Sequence, residues 1–429
     1  MTMNWSSPDR RRIEDNRDMK ESIHRIRIIL TALLCMAACM SCNVVYDHYP
    51  EEDDEADRVL LVLRFTPAAT TRADSDSREL MHSLRVVLLD DAGKVEYNRL
   101  VNGTELFGGG LTDLNYSERV GVIPTRPGDK KIFLVANEES VTVVKGVAGF
   151  SGSLTALLNG VSAGDDGFEA MIKSVSFSPN YSQENIVLSS SYKFNIGAAE
   201  KRVTRTFSLV HAATKFDFEF LNLVGDELRI DDLSVSAVAD EMYLMANFGD
   251  TAAEDKTVPY GGDALPWIEW LEKVCNATNA SPVDPDNEWV NSDYGWITDY
   301  ELPGTSGHAP LSIGKGSLIP ASASAAPDFF LGPVYSLESK YVPQTGDQKY
   351  SFSITLTNTA DGTSKTFERL LTDIPNADGG SVPNLKTLFR NTHVKTTIVI
   401  NKKAEEIELE LRIGVCPWYN ETIDIPTFD

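Results

Sequence analysis

The stretch EWVNSDYGWITDYE, residues 288–301, holds the group of side chains whose types and spacing best suit binding chemistry. Trp289, Tyr294, Trp296 and Tyr300 alternate there with Asp293, Asp299 and Glu301. Aromatic faces beside carboxylates suit sugar binding, and two carboxylates can act as acid and base on a glycosidic bond. Nothing in the sequence fixes their separation or raises either pKa, so hydrolysis ranks last. Packing of these aromatics onto a β-sandwich, together with Trp267 and Trp270, ranks first, because Trp and Tyr most often end up partly buried. An adhesive surface ranks between the two.

Other chemistry-bearing side chains are dispersed. The six histidines, His24, His48, His82, His211, His308 and His393, stand singly, with no HExxH pattern and no i, i+4 pair for a metal. His211, beside Ala212 and Ala213 on a strand-like run, reads as structural. GGGL at 108–111 lacks the following Lys-Ser/Thr and the strand-to-helix setting of a phosphate cradle, and no GxSxG elbow occurs. The expectation is a protein that is not an enzyme and uses no cofactor. A formal charge of −24, with no long basic block against it, argues against nucleic acid as a partner.

Residues 23–41, IHRIRIILTALLCMAACMS, place Arg25 and Arg27 ahead of an apolar core of about 13 residues and then small residues, a signal-peptide layout too short to span a bilayer by itself. Export from the cytoplasm is expected. Residues 1–18 are polar and charged, and Met19-Lys20 makes a normal leader start, so the first eighteen residues read as coming from a misplaced start codon. A leader that ends at cysteine is acylated there and matured at that residue. Cys39 and Cys42 both follow small residues; Cys42 is preferred because polar sequence starts at that point, and two or more acyl chains would anchor it stably. The plainer alternative is an ordinary leader with incidental cysteines. Beyond it only Cys275 and Cys416 remain, which excludes a disulfide scaffold or a cysteine-rich zinc site and leaves their pairing open.

These residues must be held by strands. At 429 residues the chain is long enough for two cores, and 42% apolar with 24% charged residues is a globular composition. Residues 83–99 carry two apolar runs around Asp91-Ala92-Gly93, a hairpin signal. KFDFEFL at 215–221 and later runs at 350–358, 394–401 and 407–415 alternate apolar and polar residues, which indicates one-sided antiparallel sheets. Helical spacing is confined to 267–274 and one or two turns within 384–391. The expected fold class is all-β, two tandem antiparallel β-sandwich domains with a few short helices. Residues 1–41 form the leader, 42–72 a lipidated N-terminal segment, 73–205 the first sandwich, and 206–429 the second, with a loop insertion at about 250–330 suggested by its Pro, Gly, Ser, Asn and Asp content.

The lipoprotein start SCNVVYDHYP, TTRAD (70–74), LRVVLLDDAGKVEYNR (84–99), PGDKKIFLVANEE (127–139), SLVHAATKFDFEF (208–220), LFRNTHVKTTIVIN (388–401) and the closing IGVCPWYN (413–420) follow one another along nearly the whole mature chain. In these the chain resembles the Bacteroidales fimbrillin family, the lipoprotein-derived type V pilins with their tip and anchor subunits. The resemblance implies two tandem transthyretin-like or Greek-key sandwiches, an outer-membrane or cell-surface location, and assembly by donor-strand exchange. It implies that an arginine-specific protease cuts after Arg72, before Ala73, and that the released strand is replaced by one from the next subunit. It also implies partners among other fimbrial subunits and host or bacterial surface proteins or glycans, with the precursor held to the outer membrane by lipid. VLLVLRFT at 59–66 is β-rich and nearly all apolar, as a strand filling a sheet on both faces should be; its plainer reading is a permanent first strand. Stalk, tip and anchor roles stay open, and a non-polymerising carbohydrate-binding lipoprotein using residues 288–301 is the alternative function.

Overall fold

The computed structural model describes residues 59–66, 76–102, 119–181, 183–260, 263–270, 300–323, 325–340, 351–370, 387–403 and 406–418. Strand β1 (Val59–Thr66) lies between β4 (Arg119–Thr125), antiparallel to it, and β7 (Arg202–Ser208), parallel to it. The facing sheet has the order β3 (Val95–Asn102), β2 (Ser83–Leu89), β5 (Gly128–Ala136), β6 (Leu188–Ile196), all antiparallel. Val59, Leu61, Ile123 and Phe207 from the first sheet meet Val86, Leu88, Ile132 and Leu134 from the second in one buried core. The 83–99 hairpin is present, with the Gly93 N–H on the Asp90 carbonyl at 3.0 Å and Gly93 at φ 80°.

All seven residues of β2 are buried because the sheet is covered on both faces. Its other face carries two short helices, α1 (Leu154–Asn159) and α2 (Phe168–Ser174), through Val87, Phe133, Leu158 and Phe168. Ser153 caps α1, its hydroxyl accepting the Ala156 N–H at 3.2 Å. This third layer, over a continuous apolar strand, was not anticipated from the alternating strands downstream.

The second sandwich repeats the plan. β8 (Thr214–Asn222) runs antiparallel to β11 (Phe329–Ser336) and parallel to β14 (Thr392–Lys403), which pairs in turn with β15 (Glu406–Pro417). The facing sheet has the order β10 (His308–Ser312), β9 (Leu228–Ala239), β12 (Ser351–Asn358), β13 (Ser364–Leu370). Phe216, Phe218 and Phe220, the apolar side of KFDFEFL, are buried against Ile230, Phe352 and Ile398. Each of β1 to β7 has a counterpart seven strands later whose pairings to the corresponding strands have the same sense; β15 beside β14, Val210–His211 beside β6 and Leu318–Ile319 beside β9 have no counterpart among the described residues. Strand pairing carries this duplication, so no repeat of fixed period shows in the sequence.

Three expectations change. The two sandwiches are not purely antiparallel, since β1–β7 and β8–β14 are parallel pairs. Within 384–391 the described residues hold no helical turn: Thr387–Leu388 is extended and pairs with Ser339–Lys340. The expected loop insertion contains β10 and the hairpin Thr257–Tyr260 with Asp263–Pro266. Residues 267–270 are helical as expected.

Candidate functional site

The groove occupied by β1 and the junction just downstream of it form the candidate site. Leu61 is 0% exposed and stands opposite Ile123 on one side and Val203 on the other. Because both of its edges are hydrogen-bonded and Val59 and Leu61 are buried, β1 has the environment of a central strand. Seven Cα partners face it on each side, Val59 to Phe65 on β4 and Leu60 to Thr66 on β7.

Downstream, the chain is pinned at Ser77–Glu79, a single 3-10 turn. Asp76 caps it, accepting the Arg78 backbone N–H at 2.9 Å and its Nε at 3.0 Å. Burial pushes the Asp76 carboxyl up, but the Arg78 hydrogen bonds outweigh it and hold the group below the usual carboxylate range. Arg78 Nη1 donates to the Tyr181 carbonyl at 2.7 Å, and its guanidinium lies 4.8 Å from the centre of the Tyr335 ring.

Glu79, 3% exposed, is the hub. Its Oε1 accepts Lys215 Nζ at 2.8 Å and the Tyr335 hydroxyl at 2.6 Å, and its Oε2 accepts the Trp418 indole N–H at 3.0 Å. Trp418 is stacked on His211 at 3.9 Å and on Tyr335 at 5.5 Å. Burial, then the Glu79 carboxylate, pushes the Tyr335 phenol far up, so it stays a donor. His211 Nδ1 sits 3.0 Å from Asn391 Oδ1, and burial lowers its pKa to about 4, so the ring is neutral. The Trp418 N–H donates to the Asn391 carbonyl at 2.7 Å. A carboxylate that is 3% exposed and already accepts three donors is closed off from a substrate. Its chemistry is that of a clasp between residues near position 72 and the last strand.

Beneath the clasp, Arg390 and Glu338 form a buried bidentate pair, Nη2 to Oε1 at 2.6 Å and Nε to Oε2 at 2.9 Å. Arg390 also donates to the carbonyls of Leu244 and Tyr243 at 3.0 and 2.8 Å. Arg85 and Glu138 repeat this pairing under α1, at 2.7 and 2.9 Å. Glu241, which lines a cleft, accepts the Ser176 hydroxyl and Lys145 Nζ at 2.6 and 3.0 Å.

Of the sequence-derived site residues, Cys42, Arg72, Ala73, Trp289, Tyr294 and Trp296 lie outside the described residues. Tyr300 is 0% exposed: its hydroxyl donates to the Ser339 carbonyl and its ring meets Phe389 edge-on at 5.1 Å, in the same core as Trp267 and Trp270. Packing is thus where Tyr300 is found. His211 is structural, as expected. Sequence reasoning missed Glu79 and Tyr335 entirely; Lys215 and Trp418 were visible only as parts of the KFDFEFL and IGVCPWYN segments.

No family model matches the chain, and no curated protein matches it. Among solved structures, it is similar to the tip fimbrial protein Mfa3 from Porphyromonas gingivalis with C-terminal truncation, at 12% identity and a TM-score of 0.46, covering 84% of this chain and 100% of that one. It is similar also to a fimbrilin from Porphyromonas gingivalis W83, at 13% identity and a TM-score of 0.41, covering 84% and 98%. A fimbrial assembly protein from Parabacteroides distasonis is similar at 12% identity and a TM-score of 0.36, covering 83% and 98%. A putative polysaccharide binding protein from Bacteroides thetaiotaomicron is similar as well, at 10% identity and a TM-score of 0.39, covering 84% and 98%.

Proposed function

We propose that the chain is a fimbrial subunit or accessory adhesin, exported as a lipoprotein acylated at Cys42 and assembled on the cell surface by strand exchange after cleavage between Arg72 and Ala73. The observation that carries this reading is the placement of β1. It is a central strand in packing, yet among the described residues the only strand at the chain's N-terminal side of Arg72, so one cut downstream separates it covalently from the strands it pairs with. Its departure leaves two unpaired strand edges and an apolar trough lined by Ile123, Val203 and Phe207. A strand from a neighbouring subunit supplies both the backbone partners and the side chains. The clasp at Glu79 supports the same reading, because it holds the chain from Asp76 onward in place whether or not β1 is present. Partners in this account are other fimbrial subunits and, for an adhesin, surface proteins or glycans.

The test is N-terminal sequencing of the surface-assembled protein, with Arg72→Ala alongside. A start at Ala73 is expected for the assembled form, and the Arg72→Ala chain stays out of assemblies with its lipidated start intact. Assemblies built from uncut chains would refute the proposal.

A further inference from the structure

Between the helical layer of the first sandwich and residues 241–247 and 303–305 of the second lies an open cleft of about 780 Å³, lined by Lys145, Lys173, Glu241, Tyr243, Asn247 and Thr305 among others. Two ion pairs that cross from one sandwich to the other flank it, Lys145 Nζ to Glu241 at 3.0 Å and Lys173 Nζ to Glu254 at 3.3 Å. Gly146 brings the loop against the end of α2. At φ 79° it stands where a Cβ would lie 2.0 Å from the Ser174 carbonyl oxygen, so no larger residue permits this approach. No lining residue belongs to β1, β4 or β7.

Three side chains in the cleft are held from the protein side and keep capacity toward it. Met242–Tyr243 pairs with Ser176–Phe177, and the Tyr243 carbonyl accepts Arg390 Nη2 at 2.8 Å. Met242 is buried in the core, so the next side chain, Tyr243, turns to the opposite face; it is half-buried, and its hydroxyl has no partner among the described residues. Asn247 Oδ1 accepts the Gly249 N–H at 2.9 Å, and the Asn247 carbonyl accepts the Glu301 N–H at 2.6 Å. The Asn247 Nδ2 protons are left over among the described residues. Glu241 takes one donor on each oxygen, the Ser176 hydroxyl on Oε1 and Lys145 Nζ on Oε2, and the Thr305 hydroxyl is a further hydrogen-bond partner. Carboxylate oxygens have about four acceptor sites between them, so Glu241 still has room for one more donor.

Charge decides which ligand suits these groups. Lys131, Lys145 and Lys173 are matched one for one by Glu169, Glu241 and Glu254. A cluster of zero net charge draws neither an anion nor a cation, whereas its oriented ammonium protons and carboxylate lone pairs remain partners for hydroxyl groups. An aromatic face beside them takes the apolar face of a sugar ring. The volume lies within the range of about 300–1,000 Å³ usual for ligand sites, which is room for a short oligosaccharide. We infer that the cleft binds a neutral glycan, with Tyr243 stacked on one ring, Asn247 Nδ2 donating to its oxygens and Glu241 accepting from a hydroxyl. The inference rests on the adhesin part of the function proposed above, and it puts the glycan contact at the junction of the two sandwiches rather than in residues 288–301.

The test applies the full-length protein, purified in detergent, to a printed array of neutral oligosaccharides from host mucins and from bacterial surface polysaccharides, each beside its sialic- or uronic-acid form, with hits titrated in solution by calorimetry. Neutral hits are expected, and the arm that carries them names the source. Tyr243→Ala and Asn247→Ala each weaken binding about tenfold, and Tyr243→Phe, which keeps the ring, weakens it less. Thr305→Trp, at an exposed position on the rim, blocks the cleft without entering the core and serves as the test if Tyr243→Ala does not fold. Absence of binding to every arm by folded protein, hits confined to acidic glycans, or binding that Trp289→Ala or Trp296→Ala removes and Thr305→Trp leaves intact overturns the inference. Such a failure leaves the expected Ala73 start of assembled protein untouched, whereas glycan binding by a chain that never assembles supports the cleft and strikes strand exchange alone.

Discussion

Glu79 and Trp418 stand 339 positions apart in the chain and meet through one hydrogen bond, indole N–H on carboxylate at 3.0 Å. The bond joins the turn Ser77–Glu79 to the residue after β15, and the Lys215 and Tyr335 donors complete it from β8 and β11. Glu79→Ala strips three buried donors of their acceptor and is expected to cost about 3 kcal/mol of unfolding free energy in urea titration. In a double-mutant cycle with Trp418→Phe, a coupling of about 1 kcal/mol is expected, since the donor and acceptor are in direct contact. A coupling of zero would mean that the clasp contributes only packing.

Leu61→Ala opens a cavity between two sheets at a side chain that no solvent reaches. The expected loss is about 2–5 kcal/mol in the intact chain. In assembled protein that starts at Ala73, Leu61 is gone, and a chain that carried the substitution before cleavage has the same thermal stability as one that did not. Equal destabilisation before and after assembly would show that β1 is never exchanged.

The sequence made some of this plain and hid the rest for physical reasons. Phe216, Phe218 and Phe220 alternate with polar residues because β8 has one face in the core and one toward solvent, so its orientation could be read directly. β2 could be recognised as a strand but not as the middle of three layers, because SLRVVLL is apolar throughout and a continuous run does not say what covers it. The parallel partners of β1 and β8 lie more than a hundred residues away, at β7 and β14, and local periodicity carries no information about such pairings. Glu79 escaped notice for a different reason: a single acidic residue in SREL has no pattern, and its role exists only where Lys215, Tyr335 and Trp418 converge on it. The aromatic segment 288–301 drew attention by composition, yet Tyr300, its one described member among the four aromatics, serves the core.

Arg390 and Glu338 make a buried ion pair whose cation also supplies the carbonyls of Leu244 and Tyr243. Arg390→Met takes a donor from a buried carboxylate and from two carbonyls, of which that of Leu244 keeps the Ser189 hydroxyl, and a loss of about 3–5 kcal/mol is expected by calorimetry or denaturant titration. Glu338→Leu added to Arg390→Met removes the orphaned charge and recovers a large part of that loss, though not the part due to the two carbonyls. A double variant no more stable than Arg390→Met would place the cost in the carbonyls rather than in the carboxylate.

His211 makes the stability of the junction depend on acid. Burial lowers its pKa from 6.5 to about 4, against the pull of Glu79, with Asn391 on its Nδ1, the Trp418 ring against its face and Lys215 nearby. The folded value lies below the unfolded one, so the unfolded chain binds the proton first. The contribution of His211 is therefore complete above pH 6.5 and is lost as pH falls toward 4, by about 3 kcal/mol. Asp76 and Asp217, both held below the usual carboxylate range, act in the same sense at lower pH, and His393, which burial also lowers from 6.5 against the pull of Asp217, acts in the same sense below pH 6.5, so His211 supplies part of the loss in that window. Denaturant midpoints measured across that window should fall steadily for the wild-type chain and less steeply for His211→Gln, which keeps a polar side chain but cannot take up the proton, the remaining slope belonging to groups such as His393. The same slope in both proteins would assign the acid sensitivity to other groups.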